Sequence, residues 1–103
     1  MDYTLSYPQI LKQVIQDAVQ HQPRLQAIQL HPICDPESGH FLILAIGWHN
    51  EQRLDTILFH AHLSNQQIII ETDNFEDSLT QHLINHGVPI QDLITPPEPT
   101  RIS

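Results

Sequence analysis

Residues 40–73, HFLILAIGWHNEQRLDTILFHAHLSNQQIIIETD, hold three apolar runs separated by two short polar turns. Phe41 to Trp48 is almost wholly apolar, the pattern of a central strand covered on both faces. His49-Asn50-Glu51-Gln52 is a polar hairpin connection. Arg53 to Leu63 then alternates. Period two assigns Asp55, Ile57, Phe59, Ala61 and Leu63 to one face, and Thr56, Leu58, His60 and His62 to the other. Ser64-Asn65-Gln66 makes the next turn, and Gln67 to Thr72 a short strand around Ile68, Ile69 and Ile70. Strands joined by such short turns pair antiparallel, so the stretch predicts a three-stranded meander.

Working outward, Leu25 to Cys34 predicts a further strand. Pro32 within it points to a sheet edge or a bulge, because proline donates no ladder hydrogen bond. Before it, Ser6 can cap a helix with Pro8 in its first turn. Ile10, Leu11, Val14, Ile15 and Ala18 repeat at helical spacing, and Pro23 stops the helix, which is expected over residues 7–21. After the meander, Asp73 or Asn74 can cap a second helix bearing Phe75, Leu79, His82, Leu83 and His86 on one face. Gly87 ends that helix and Val88-Pro89 prevents its continuation. Ile90 to Ile94 is a short turn or strand, and TPPEPTRIS, residues 95–103, reads as a tail or an arm docked on a neighbour. The expected fold is α+β, in the order α-β-β-β-β-α. A four-stranded antiparallel sheet carries an N-terminal and a C-terminal helix within one domain of residues 1–94. Two helices cover one face of such a sheet. The strands are apolar on both sides, so the other face calls for a second subunit and a homo-oligomer.

Four Lys and Arg stand against twelve Asp and Glu, a formal net charge of −8. Lys12, Arg24, Arg53 and Arg101 are scattered, so there is no basic face to displace counterions from phosphates, and direct nucleic-acid binding is not expected. No apolar run approaches the roughly 20 residues of a membrane helix. The first residues show no secretory signal, and the lone Cys34 fits a reducing cytoplasm. Eight histidines are the compositional oddity. Their protonation would carry the formal charge from −8 to 0.

Four positions stand out as candidate partner-binding residues: Gly47, Trp48, Arg53 and His60. Tryptophan is favoured at interfaces because it buries a large area and keeps a hydrogen-bond donor; the plainer reading is a core tryptophan beside a glycine that permits close backbone approach. Arg53 can pair with Glu51, with Asp55 or with a partner molecule. His60 and His62, two apart on one strand, share a face and form an alternative metal pair, against the plainer reading of two histidines on a partly covered sheet. His82 and His86 also share a helix face. Leu83 stands where a zinc protease carries its glutamate, so a helix-to-interface role or simple helix-end stabilisation by His86 is the preferred reading. There is no G-x-S-x-G elbow and no glycine-rich phosphate loop. Neither a cofactor nor a metal is expected, and no catalytic residue is assigned.

Read in order, Gly47-Trp48, Arg53 after a polar hairpin, Phe59-His60, Ile68 with Ile70, Gly87-Val88-Pro89 and Asp92-Leu93 resemble the XisI-like proteins. That family is named for a factor controlling excision of the fdxN DNA element in cyanobacteria, and the resemblance spans roughly residues 5–94. It departs at Ala61, where the family carries an acidic residue. It departs again near the end, where Pro97 or Pro99 with Arg101 stands for a longer Pro-Arg tail. The resemblance implies a non-enzymatic accessory protein in DNA-element excision, with the DNA chemistry left to a recombinase. It also implies a nuclease-like XisH-type protein as partner. The alternative is a small histidine-dependent metal-binding enzyme using His60 and His62, joined by His82 or His86. A third reading, a small-molecule sensor, requires a polar pocket near Trp48.

Overall fold

The computed structural model describes residues 6–21, 27–75 and 78–96. Helix α1 spans Tyr7–His21, as its spacing predicts. Ser6 and Gln9 close its start: the Ser6 backbone N–H donates to Gln9 Oε1 at 3.0 Å, and Ser6 Oγ donates to the same oxygen at 3.1 Å. The first of these bonds is one half of a capping box, with glutamine at the third helical position. Four strands follow, β1 (Ile28–Asp35), β2 (His40–His49), β3 (Gln52–Ser64) and β4 (Gln67–Asp73). Helix α2 spans Leu79–Asn85, a short 3₁₀ turn Ile90–Asp92, and strand β5 only Leu93–Ile94.

The sheet has five strands in the order β1-β2-β3-β4-β5. The first three pairings are antiparallel and the last is parallel, Ile68 with Leu93 and Ile69 with Ile94. The α+β class therefore stands, but the four-stranded antiparallel sheet is corrected to a five-stranded mixed one. A parallel neighbour needs a crossover, and α2 is that crossover. Two residues of strand carry too little periodicity to be separated from a turn in sequence. Pro32 lies on β1, which among the described residues pairs with β2 alone, so of the edge and the bulge it allowed, the edge is where it sits.

Helix α2 begins later than its sequence signal. Asp73 ends β4, yet its carboxylate accepts the backbone N–H groups of Leu79 at 3.4 Å and Thr80 at 3.1 Å. It also accepts the Ser78 and Thr80 hydroxyls at 2.9 and 2.8 Å. Asp73 is thus a cap reaching from the strand, and Phe75 is core but not helical. Residues 76 and 77, inside the expected helix, lie outside the described residues. At the far end Gly87 takes φ +103°. Its N–H donates to the Ile84 carbonyl at 3.0 Å, and the Val88 N–H to that of Leu83 at 3.1 Å. That double closure is a Schellman motif, and the buried Val88 seals it. The tail beyond Pro96 lies outside the described residues.

The core lies between the helices and one sheet face. Leu11, Ile15, Leu79 and Leu83 pack with Phe41, Ile43, Phe59, Ala61, Ile68 and Ile70. No described helix covers the opposite, outer face. Two bulges set which residues reach it. Pairing runs Leu44 with Ile57, then Ile43 with Phe59, leaving Leu58 as an extra residue. It runs Ala61 with Ile70, then His60 with Thr72, leaving Glu71 as another. A bulge breaks the two-residue period. Asp55 and Ile57 consequently lie on the outer face, not with Phe59, Ala61 and Leu63 as strict alternation expects.

Candidate functional site

The outer face is built on β2 and β3. From β2 it presents His40, Leu42, Leu44, Ile46 and Trp48; from β3, in register, His62, His60, Ile57, Asp55 and Arg53. Strand β1 adds Asp35, Ile33, His31 and Gln29 opposite the β2 positions. Its middle is apolar: Leu42, Leu44 and Ile46 are half-buried, while Ile33 is 40 % and Ile57 39 % exposed. These aliphatic side chains are grouped on one surface rather than scattered singly.

At one end Trp48 is 55 % exposed, with the Arg53 guanidinium carbon 5.5 Å from the centre of its ring. The two are register partners across the hairpin. Arg53 thus lies on the tryptophan, a cation–π contact that forms a flat surface with a charged edge. The core-tryptophan reading fails. Gly47 beside it is structural: a Cβ there would lie 1.9 Å from the Ala27 carbonyl oxygen and 2.7 Å from Ile28 Cα. Its missing side chain lets β1 start alongside β2, where the Trp48 N–H donates to Ala27 O at 3.1 Å.

The other end is a histidine cluster. His40 Nδ1 and His60 Nε2 are 3.0 Å apart, one ring donating and the other accepting. The His40 ring stacks on those of His60 and His62, each at 5.2 Å between centres. His62 Nε2 donates to Glu71 Oε2 at 2.8 Å. Burial, then the neighbouring His40 and His62 charges, lower the pKa of His60 from its ordinary value, against a smaller upward pull from Glu71. His60 therefore resists protonation within this group. On β1, hydrogen bonding from Ser38 is the main cause holding the Asp35 carboxyl below its ordinary range. His40, opposite Asp35 in register, adds to that in the same direction.

Sequence reasoning found His60 and His62 but not His40 or Glu71, and it grouped His60 with Trp48, whereas they occupy opposite ends of the face. Counting back from the Asn50–Glu51 turn pairs His40 with Ala61; only the extra residue at the bulge moves it to His62. Among the described residues, no group of three or more His, Cys, Asp or Glu is placed to hold a metal ion. His86 closes α2: its Nδ1 lies 2.8 Å from the His82 carbonyl oxygen. Burial pushes the Cys34 thiol up from its ordinary value, leaving it protonated and unreactive near neutral pH. A shallow groove runs between Tyr7, Pro8 and the Leu63–Gln66 hairpin, at the end of the sheet away from Trp48.

The family model described as XisI protein matches residues 1–101. No curated protein matches the chain. Two solved structures from Anabaena variabilis ATCC 29413 share the fold. One is a XisI-like protein, 19% identical, covering 85% of this chain and 81% of that one at a TM-score of 0.78. The other is the fdxN element excision controlling factor XisI, 22% identical, covering 85% of this chain and 80% of that one at a TM-score of 0.71.

Proposed function

The chain belongs to the XisI family, and from that premise we propose that it is a non-enzymatic accessory protein acting through protein–protein contacts. The observation that carries this is the outer sheet face, apolar in its middle and ended by an exposed Trp48 with Arg53 on its ring. A relative of the same fold is a controlling factor of fdxN element excision; by that likeness the role is control of DNA rearrangement. The acidic chain, with twelve Asp and Glu against four Lys and Arg, supports action through a DNA-processing protein rather than by holding DNA itself. The partner proposed is the XisH-type protein that the family resemblance implies, in the cytoplasm, with the chain itself a homo-oligomer. The protonated Cys34 thiol and the stacked histidines favour a role without catalysis.

The test is capture of the XisH-type protein by the tagged full chain. Trp48→Ala is expected to weaken capture by about tenfold or more, as interface tryptophans do, while Gln16→Ala, on the exposed side of α1, leaves it intact. Equal capture by the two variants rejects the outer face as the contact surface.

A further inference from the structure

We infer that two copies of this chain pair through their outer sheet faces with strands antiparallel, the Trp48–Arg53 end of each lying over the His62–Glu71 end of the other. This rests on the reading of the outer face as a contact surface: a second copy occupies it in the chain alone, and the XisH-type protein takes that copy's place when it binds.

Size comes first. Strand β2 has ten residues. At about 3.4 Å per residue, and with four strands about 4.8 Å apart, the face covers roughly 500 Å² per copy. A pair then buries on the order of 1,000 Å², the lower limit for a specific interface. Loss of the half-exposed Ile33, Leu44, Ile46, Ile57 and Trp48 from water is the driving force.

Charge then chooses the orientation. Leu44 pairs with Ile57 in the middle of the face. Trp48 and Arg53 lie four residues to one side, and His40 and His62 four residues to the other, counted along β2. Two sheets packed face to face are related by a twofold axis lying in the interface, so only two isologous arrangements are simple. An axis along the strands stacks like on like: the Arg53 residues gather at one end, Asp35 and Glu71 at the other. An axis across the strands crosses the ends. Arg53 then reaches the Glu71 of the second copy, and Asp55 comes over its His60. Among the described residues Arg53 is the one Lys or Arg on this face; Lys12 lies on α1. With a net charge of −8 on each chain, placing that cation against the carboxylate of the other copy is the arrangement that offsets repulsion.

Sedimentation equilibrium of the full chain tests this. The wild type is expected to move from monomer to twice that mass as concentration rises. Leu44→Asp is expected to hold it at the monomer mass while the far-ultraviolet circular dichroism stays native. Ile90→Asp, on the 3₁₀ turn, leaves dimerisation unchanged. Arg53→Glu and Glu71→Arg are each expected to weaken dimerisation about tenfold, and the double variant to recover it. A wild type that stays monomeric to its solubility limit, or a dimer indifferent to Leu44→Asp, overturns the pairing. Single variants that weaken it without recovery in the double overturn the crossed orientation. If the pairing falls but Trp48→Ala still loses the XisH-type protein, the contact-surface reading stands without it; if both results are negative, both fall.

Discussion

Gly47 is held to glycine by a neighbour's backbone, since a methyl group there would press into Ala27 O and Ile28 Cα, neither of which can swing aside. Gly47→Ala is expected to lower unfolding free energy by about 1–3 kcal/mol, the cost of overpacking, measured by urea denaturation. Trp48 follows it in the chain but faces water, so the tight Gly-Trp pair combines a structural residue with a surface one. His60 carries a second prediction at this scale. Its folded pKa is lowered by burial and by its histidine neighbours. Above the ordinary value of about 6.5 it is neutral in both states and contributes nothing. As pH falls through that value the unfolded chain takes up the proton first, so stability falls with acidity. Proton NMR of His60 is expected to show a midpoint below about 6.5 that rises toward it in His40→Gln, which removes the neighbouring charge. A midpoint unmoved by that substitution would contradict the cluster's geometry.

The two hairpins turn on residues that are not glycine. Asn50 and Glu51 have φ of +51° and +65°, and Asn65 and Gln66 repeat the same pair of values. Two successive positive φ angles define the type I′ turn, whose twist matches antiparallel strands. Asparagine tolerates the first position, whereas the second favours glycine. Gln66→Gly is therefore expected to raise stability by about 0.5–1 kcal/mol, the relief of left-handed strain less the added chain entropy. A shift of the urea midpoint to higher denaturant would register it. The apolar runs and polar gaps made these hairpins legible in sequence, because a two-residue turn leaves a gap in hydropathy. The bulges at Leu58 and Glu71 were not legible, since an inserted residue changes register without changing composition. Asp73 shows the same limit from the other side. Its residue type announces a cap, but only the path of the chain after β4 shows that the helix it serves starts at Leu79.

Across the whole molecule, the Tyr7 hydroxyl donates to the Asp92 carboxylate and ties the first helix to the 3₁₀ turn before β5. That hydrogen bond is the first cause raising the Tyr7 pKa from its ordinary 10, with burial and the Asp92 charge adding to it. A raised tyrosine pKa contributes stability below the ordinary value and loses it as pH rises through the folded one. Tyr7→Phe is expected to cost about 1 kcal/mol at neutral pH and to flatten the fall of stability in alkali. Thermal unfolding at pH 7 and above pH 10 compares the two. This tether fixes the turn from which the two-residue β5 leaves. The outer face has no described helix over it, and it supplies the surface that both proposals use.

Hydropathy period, turn residues and caps determined α1 to its ends, four of the five strands and the stop at Gly87. Each of these is set by neighbours within a few residues along the chain. Tertiary structure alone decided the parallel β5, the outward turn of Ile57 and the meeting of His40 with His60 and His62. Those depend on register between strands, and one inserted residue in a ladder exchanges the faces of everything beyond it.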